Sequence, residues 1–137
     1  TVKSELNALR LLTVCSKKIR VYCEEWHKPP TVCGNWVPDI IRVAGGKSMS
    51  EPGERSYEVS AEAVRRFSPD VMVVTWCGFG KNIKTESIAE RRGWNKIPAV
   101  TNKKIHVFDD SLLNRPGPRL VKGARLLAKI LHPELLK

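Results

Sequence analysis

The segment "DVMVVTW", Asp70 to Trp76, constrains the fold more than any other stretch of the chain. Its apolar residues do not alternate with polar ones, so the strand it predicts is buried on both faces. Such a strand belongs to a sheet with helices on either side, and the flanking sequence has to provide them. "NWVPDIIRVAGG" predicts a short helix running from Asn35 as N-cap to a stop at Gly45-Gly46. "SAEAVRRFSP" predicts another, capped by Ser60, with Glu62 in its first turn and Pro69 beyond its end. "TESIAERRG" reads as a third, closed by Gly93. A last helix follows Pro118, with Leu120, Val121, Ala124, Leu127, Ala128 and Leu131 as its core-facing stripe.

Two more strands fit among these helices, "IRVYCE" from Ile19 to Glu24 and "KKIHVFDD" from Lys103 to Asp110. "IPAV", Ile97 to Val100, reads as a brief strand or an extended lead-in, and "SMSEPGERSY" as turn chemistry. Strands alternating with helices predict an α/β fold, a three-layer α/β/α arrangement around a mostly parallel sheet. A length of 137 residues suits one domain able to bury a core without disulfide or metal staples. No apolar run approaches the ~20 residues of a membrane span. The opening "TVKSELNALRLL" carries charges and no leader-like apolar run, and it places Val2, Leu6, Leu9 and Thr13 on one helical face. A chain that opens inside a helix is expected to be a fragment of something longer.

The formal charge is +10. A nucleic-acid partner would need the basic residues clustered on one face. Here they are spread as short pairs, Lys17-Lys18, Arg65-Arg66, Arg91-Arg92 and Lys103-Lys104, at element ends or on polar helix faces. A solvated surface is the expectation and no nucleic-acid partner is assigned, although the excess charge suits an anionic ligand or surface.

In a parallel sheet, ligands bind beyond the carboxyl ends of the strands. The loops that leave the three strands there are "EEWHKPPTVCGN", "WCGFGKN" and "DDSLLNRPG", the most chemically loaded stretches of the chain. Cys23, His27, Cys33 and Cys77 are soft-metal ligand types, but no Cys-x-x-Cys spacing joins them, so no metal is assigned. Cys23 and Cys77 read instead as small buried residues closing their strands. Disulfides among the four cysteines cannot be connected from spacing. Cys77 with His27 as base, and Gly78 and Gly80 amides as an oxyanion hole, would make a cysteine-dependent enzyme. "GFGKN" lacks the spacing of a phosphate loop and reads as a turn. Trp26, Trp36, Trp76 and Phe79 offer flat apolar walls of the kind that line small-molecule pockets. Trp26 lies between charged residues and a double proline and is the one expected to face a ligand.

"EEWHKPPTVCGNWVPDIIRVAGG", "GERSYEVSAEAVRRFSPDVMVVTWCGFG" and "NRPGPRLVKGARLLAKILHP" together resemble the C-terminal lobe of substrate-binding proteins serving ABC importers of cobalamin and iron–siderophores. The cobalamin-binding branch is the nearest match. The resemblance implies two α/β lobes joined by a long helix, with residues 1–14 the end of that helix and residues 15–137 the C-terminal ligand-binding lobe. The N-terminal lobe would lie upstream. It implies binding without catalysis and no resident cofactor, the cargo being cobalamin or another corrinoid, haem or a ferric siderophore. Ligand contacts carried over by the resemblance fall on Trp26 and His27, on Cys77, Gly78 and Phe79, and on Leu113, Asn114 and Arg115. Glu62 matches the acidic residue by which such lobes dock on permease subunits. Cys33 stands where a small polar residue is more usual. Leu113 stands where an aromatic is common, which shifts the implied cargo from cobalamin toward another flat chelate. The implied location is extracytoplasmic, although some relatives work in the cytoplasm.

Overall fold

A computed structural model describes residues 1–136. Helix α1 spans Val2–Thr13 and buries Leu9 and Thr13, two members of the expected apolar face. The central strand β1, Ile19–His27, runs three residues beyond the expected strand. It turns at Lys28-Pro29, joined by a cis peptide, and pairs antiparallel with β2, Pro30–Val32. The stretch expected to be a plain loop is therefore a β-hairpin. Prolines are tolerated there because they occupy the turn and the first residue of a strand.

Helix α2, Val37–Val43, follows. Asn35 does not cap it. Trp36 holds the N-cap position without a side-chain cap bond, and Asn35 takes a left-handed backbone with φ of 59°. That conformation lets the Asn35 amide donate to the Glu54 carbonyl at 2.6 Å. The glycine-containing stop after α2 leads straight into a strand, β3, Gly46–Ser48. A further short strand, β4, Tyr57–Glu58, emerges from the segment expected to be turn alone. Both are too short to carry a periodic signal.

Helix α3 is Ala61–Phe67, with Ser60 accepting from Ala63 N at 3.0 Å as its expected cap. Strand β5 is Val71–Val74, buried throughout. Helix α4 is a single turn, Glu86–Ala89, shorter than expected, and Gly93 with φ of 86° precedes a 3₁₀ turn, Trp94–Lys96. "IPAV" is not extended, because Pro98 starts one helical turn, α5, Pro98–Thr101. Strand β6, Ile105–Val107, one turn of helix α6, Asp110–Leu113, and the long helix α7, Arg119–Leu131, complete the order before a closing 3₁₀ turn at Pro133–Leu135.

Strands β3, β1, β5 and β6 lie side by side and parallel, and β2 and β4 extend the sheet antiparallel from the outer half of β1. Alternate residues of each central strand feed opposite cores. Val21, Cys23, Val71 and Val73 pack with residues of α1, α2, α6 and α7. Tyr22, Met72 and Val74 pack on the other side with Val64 of α3, Ile88 of α4 and Val100 of α5. The fold is the expected three-layer α/β/α sandwich. From β1 the chain crosses first to β3 on one side and then back past β1 to β5 on the other. The crevice between the carboxyl ends of β1 and β5 is thus the switch point of the sheet, where ligands bind in open α/β folds.

Candidate ligand-binding site

Four aromatic rings gather at that switch point. Trp26 and His27 come from the end of β1, Trp76 and Phe79 from the chain leaving β5. His27 stacks on Trp76 with centroids 4.3 Å apart and planes at 30°. Phe79 meets Trp26, His27 and Trp76 edge-on at 5.8, 5.4 and 5.4 Å. Trp26 lies 4.6 Å from the His27 ring and keeps 37% of its surface exposed. A bulge in β1 between Glu24 and Trp26 explains how a wholly buried residue is followed so soon by an exposed one. The extra residue, Glu25, re-aims the strand beyond it, and its carboxylate accepts from the Ser56 hydroxyl at 3.0 Å.

Beneath the rings sits a buried polar network that sequence reasoning missed. The Glu24 carboxylate, fully buried, receives Tyr22 OH at 2.8 Å, Trp76 Nε1 at 2.9 Å, and both Arg91 amino nitrogens at 2.7 and 2.8 Å. The Arg91 fork neutralises it bidentately, the geometry that makes a buried carboxylate tolerable. Arg91 also lies over the Trp94 ring, 4.6 Å from its centroid. Burial, then the Glu24 charge, pushes the Tyr22 phenol well above its ordinary range, so it remains a donor. Strand parity was the available signal: once Tyr22 faces the core, Glu24 two residues on must face it too.

A shallow cavity of about 430 Å³ adjoins the rings, lined by His27, Lys28, Pro30, Trp76, Ser87, Arg91, Arg92 and Trp94. Its aromatic floor and basic rim suit a flat ligand bearing negative groups. Burial, then the neighbouring charges of Lys28 and Arg91, holds the His27 imidazole below its ordinary 6.5. His27 is accordingly a neutral ring at neutral pH. Its Nδ1, Thr75 Oγ1 and Asn114 Oδ1 are buried polar atoms with no partner, all at this end of the sheet.

The other expected residues divide. Cys77 is exposed, not a buried strand closer. Its thiol is approached by Asn114 Nδ2 at 3.6 Å rather than by His27. Burial, then Glu25 and Asp110, pushes its pKa up, which disfavours the thiolate. The Gly78 amide, with φ of 83°, already donates to Asp110 at 3.0 Å and is not free to serve as an oxyanion donor. Asn114 braces the loop by donating to the Thr75 carbonyl at 2.9 Å, and Arg115 is exposed beyond it. Leu113 is only 1% exposed and packs in the core, so its side chain offers no wall to a ligand. Its carbonyl instead accepts from Trp36 Nε1 at 2.7 Å, which ties the start of α2 to the third loop. Cys23 and Cys33 lie side by side in the core, but neither His27 nor Cys77 joins them, and among the described residues no group of three metal-ligating side chains converges. Glu62 is exposed in the first turn of α3 and pairs with Arg66 at 3.0 Å.

An open α/β sheet with an aromatic cluster and a basic rim at its switch point has the features of a small-molecule site. The chain belongs to the periplasmic binding protein family, which matches residues 15–112. It is 27% identical over 99 residues, 72% of its length, to an uncharacterised ABC transporter substrate-binding lipoprotein, YvrC, of Bacillus subtilis (strain 168). The chain covers 30% of that relative. A possible iron-binding, periplasmic solute-binding protein from Staphylococcus epidermidis superposes with a TM-score of 0.77 at 27% identity, over 96% of this chain and 52% of that one. The periplasmic vitamin B12 binding protein BtuF of Vibrio cholerae shares the fold with a TM-score of 0.71 at 21% identity, over 98% of this chain and 52% of that one. The chain thus spans about half the length of these solved relatives and less of the curated one.

Proposed function

We propose that this chain is the ligand-binding lobe of an ABC importer's solute-binding protein, working outside the cytoplasm. It captures cobalamin or a similar flat metal chelate, such as haem or a ferric siderophore, and delivers it to permease subunits. The observation that carries this reading is the four-ring cluster of Trp26, His27, Trp76 and Phe79 at the switch point, with Trp26 at its exposed edge, His27 and Phe79 half-buried and Trp76 buried beneath them. Family membership, a structural relative described as a possible iron-binding protein, another that binds vitamin B12, and a relative that is an ABC transporter lipoprotein support the same class of cargo and location.

On this reading residues 1–14 end a helix that joins the lobe to a second one, and residues 15–137 form one half of a cleft. A single wall leaves half a flat ligand in water, so tight binding needs the second lobe to close over it. Trp26 and His27 on the hairpin, with Gly78 and Phe79 after β5, supply the flat surface. Arg115 and the rim of Lys28 and Arg92 attract the cargo's negative groups. Glu62 is the docking acid for the permease. The lobe acts by binding and catalyses no reaction, a view that the raised Cys77 thiol and the committed Gly78 amide support.

Titration of the two-lobe protein with cobalamin, haemin and a ferric siderophore, read by tryptophan fluorescence, tests the proposal. Saturable quenching by at least one chelate is expected. Unchanged emission with all three would overturn the reading.

A further inference from the structure

Below the aromatic hairpin, in the core on the opposite side of the sheet from Glu24, two cysteines meet. Cys23 lies on β1 and Cys33 directly follows β2. The Cys33 amide donates to the Cys23 carbonyl at 2.8 Å, and the two Sγ atoms are 3.3 Å apart. Both are almost completely buried, 2% and 1% exposed, among Val21, Val37, Ile40 and Val73. A disulfide requires converging side chains and a sulfur–sulfur distance of about 2.0 Å. The sulfurs here already touch, so bond formation needs a movement of only about 1 Å. Two thiols alone make no metal site, and among the described residues no third ligand joins them.

We propose that Cys23 and Cys33 are a cross-linking site and are joined by a disulfide in the mature protein, stapling the hairpin that bears Trp26 and His27. The reaction is thiol–disulfide exchange with an external disulfide oxidant, either a small molecule or a protein. One cysteine thiolate attacks the oxidant to give a mixed disulfide and releases one thiol; the second cysteine then displaces the other thiol. Two thiol protons leave, two electrons pass to the oxidant, and one sulfur–sulfur bond forms within the chain. The Cys23 contact and then burial raise the Cys33 pKa well above its ordinary value, so the closed core suppresses the attacking thiolate. Exchange therefore happens on the folding chain, before the hairpin closes, and the finished bond is sealed from reductant. The bridge joins positions ten apart in sequence, with the turn between them, and it restricts the unfolded chain there. Only the oxidising compartment is taken from the proposed function; the geometry stands without it.

Reduced, unfolded protein is refolded in a mixed oxidised and reduced glutathione buffer, alkylated, digested and weighed. The expected product is lighter by two hydrogens, links the Cys23 and Cys33 peptides, and leaves Cys15 and Cys77 alkylated. Its Tm should exceed that of the reduced protein by on the order of 10 °C. That redox dependence should survive in Cys15→Ser/Cys77→Ser and vanish in Cys23→Ala/Cys33→Ala. Four free thiols, a bridge using Cys15 or Cys77, or a Tm independent of redox state in the Cys15→Ser/Cys77→Ser variant would each overturn it. Chelate quenching by a protein with four free thiols would sink the cross-link and leave the ligand reading standing. A bridged protein that quenches with no chelate would do the reverse.

Discussion

At the scale of single residues, the ion pair of Glu24 and Arg91 carries a large electrostatic penalty if it is broken. The carboxylate is fully buried and its neutralisation rests on one guanidinium. Arg91→Met should therefore lower the free energy of unfolding by about 3–5 kcal/mol, the cost of stranding a buried charge. Urea denaturation measures this, and a loss below about 1 kcal/mol would show that the charge finds water or another partner. His27 makes a prediction about acid. Its folded pKa lies below the ordinary 6.5, so the unfolded chain takes up the proton first as pH falls. Stability contributed by the neutral ring is present above about 6.5 and is lost as pH drops from there to the folded pKa. His106 is shifted in the same direction by its burial, so total acid sensitivity does not isolate His27. The informative quantity is the difference between wild type and His27→Phe. The variant's urea midpoint should fall less between neutral and mildly acidic pH, and equal falls would mean that His27 is not a neutral ring in the fold.

Among the elements, the β1–β2 hairpin and its exit determine where the aromatic cluster proposed as the ligand wall stands. Gly34 sits against the backbone of Glu54 to Ser56, where an added Cβ would overlap the Glu54 carbonyl oxygen. Gly34→Ala should destabilise the protein by about 1–3 kcal/mol by pushing the two segments apart, measured as a lowered thermal midpoint. Cys33, Gly34 and Ser56 share this crossing, since the Gly34 amide donates to the Ser56 hydroxyl at 3.0 Å. How much of this was legible in sequence depended on what each element is made of. Strand β5 announces itself because four consecutive apolar residues need cover on both faces. The stripe of α7 does so because its thirteen residues hold the helical period long enough to be seen. The hairpin is hidden because its turn carries Lys28 and Pro29 instead of an Asn-Gly signal. Helices α4 and α5 are single turns, and β3 and β4 offer three and two residues, too few for any period. Within the site, Trp26, Trp76 and Phe79 were legible as flat apolar surfaces, and the fold gathers them with His27 but without Trp36. The Glu24 network was not legible, because its partners Trp76 and Arg91 are 52 and 67 residues away.

For the whole molecule, the proposed reading assigns capture and delivery to separate surfaces. Glu62 lies on α3, is exposed, and its pairing with Arg66 is a surface contact worth little. Glu62→Arg should leave chelate affinity and stability nearly unchanged while abolishing uptake in cells that depend on the importer. A variant that transports normally would remove Glu62 from the docking surface. The four-ring wall, by contrast, is the part on which the functional account rests. Its most direct test is isothermal titration of the two-lobe protein with its best-quenching chelate, comparing wild type with Trp26→Ala and Trp36→Phe. Trp26 stands at the exposed edge of the wall, whereas Trp36 donates to the Leu113 carbonyl and is not one of the four rings. If the wall holds the chelate, Kd rises about tenfold or more in Trp26→Ala, with thermal stability unchanged, and stays within about twofold in Trp36→Phe. An unaltered Kd in Trp26→Ala would contradict it.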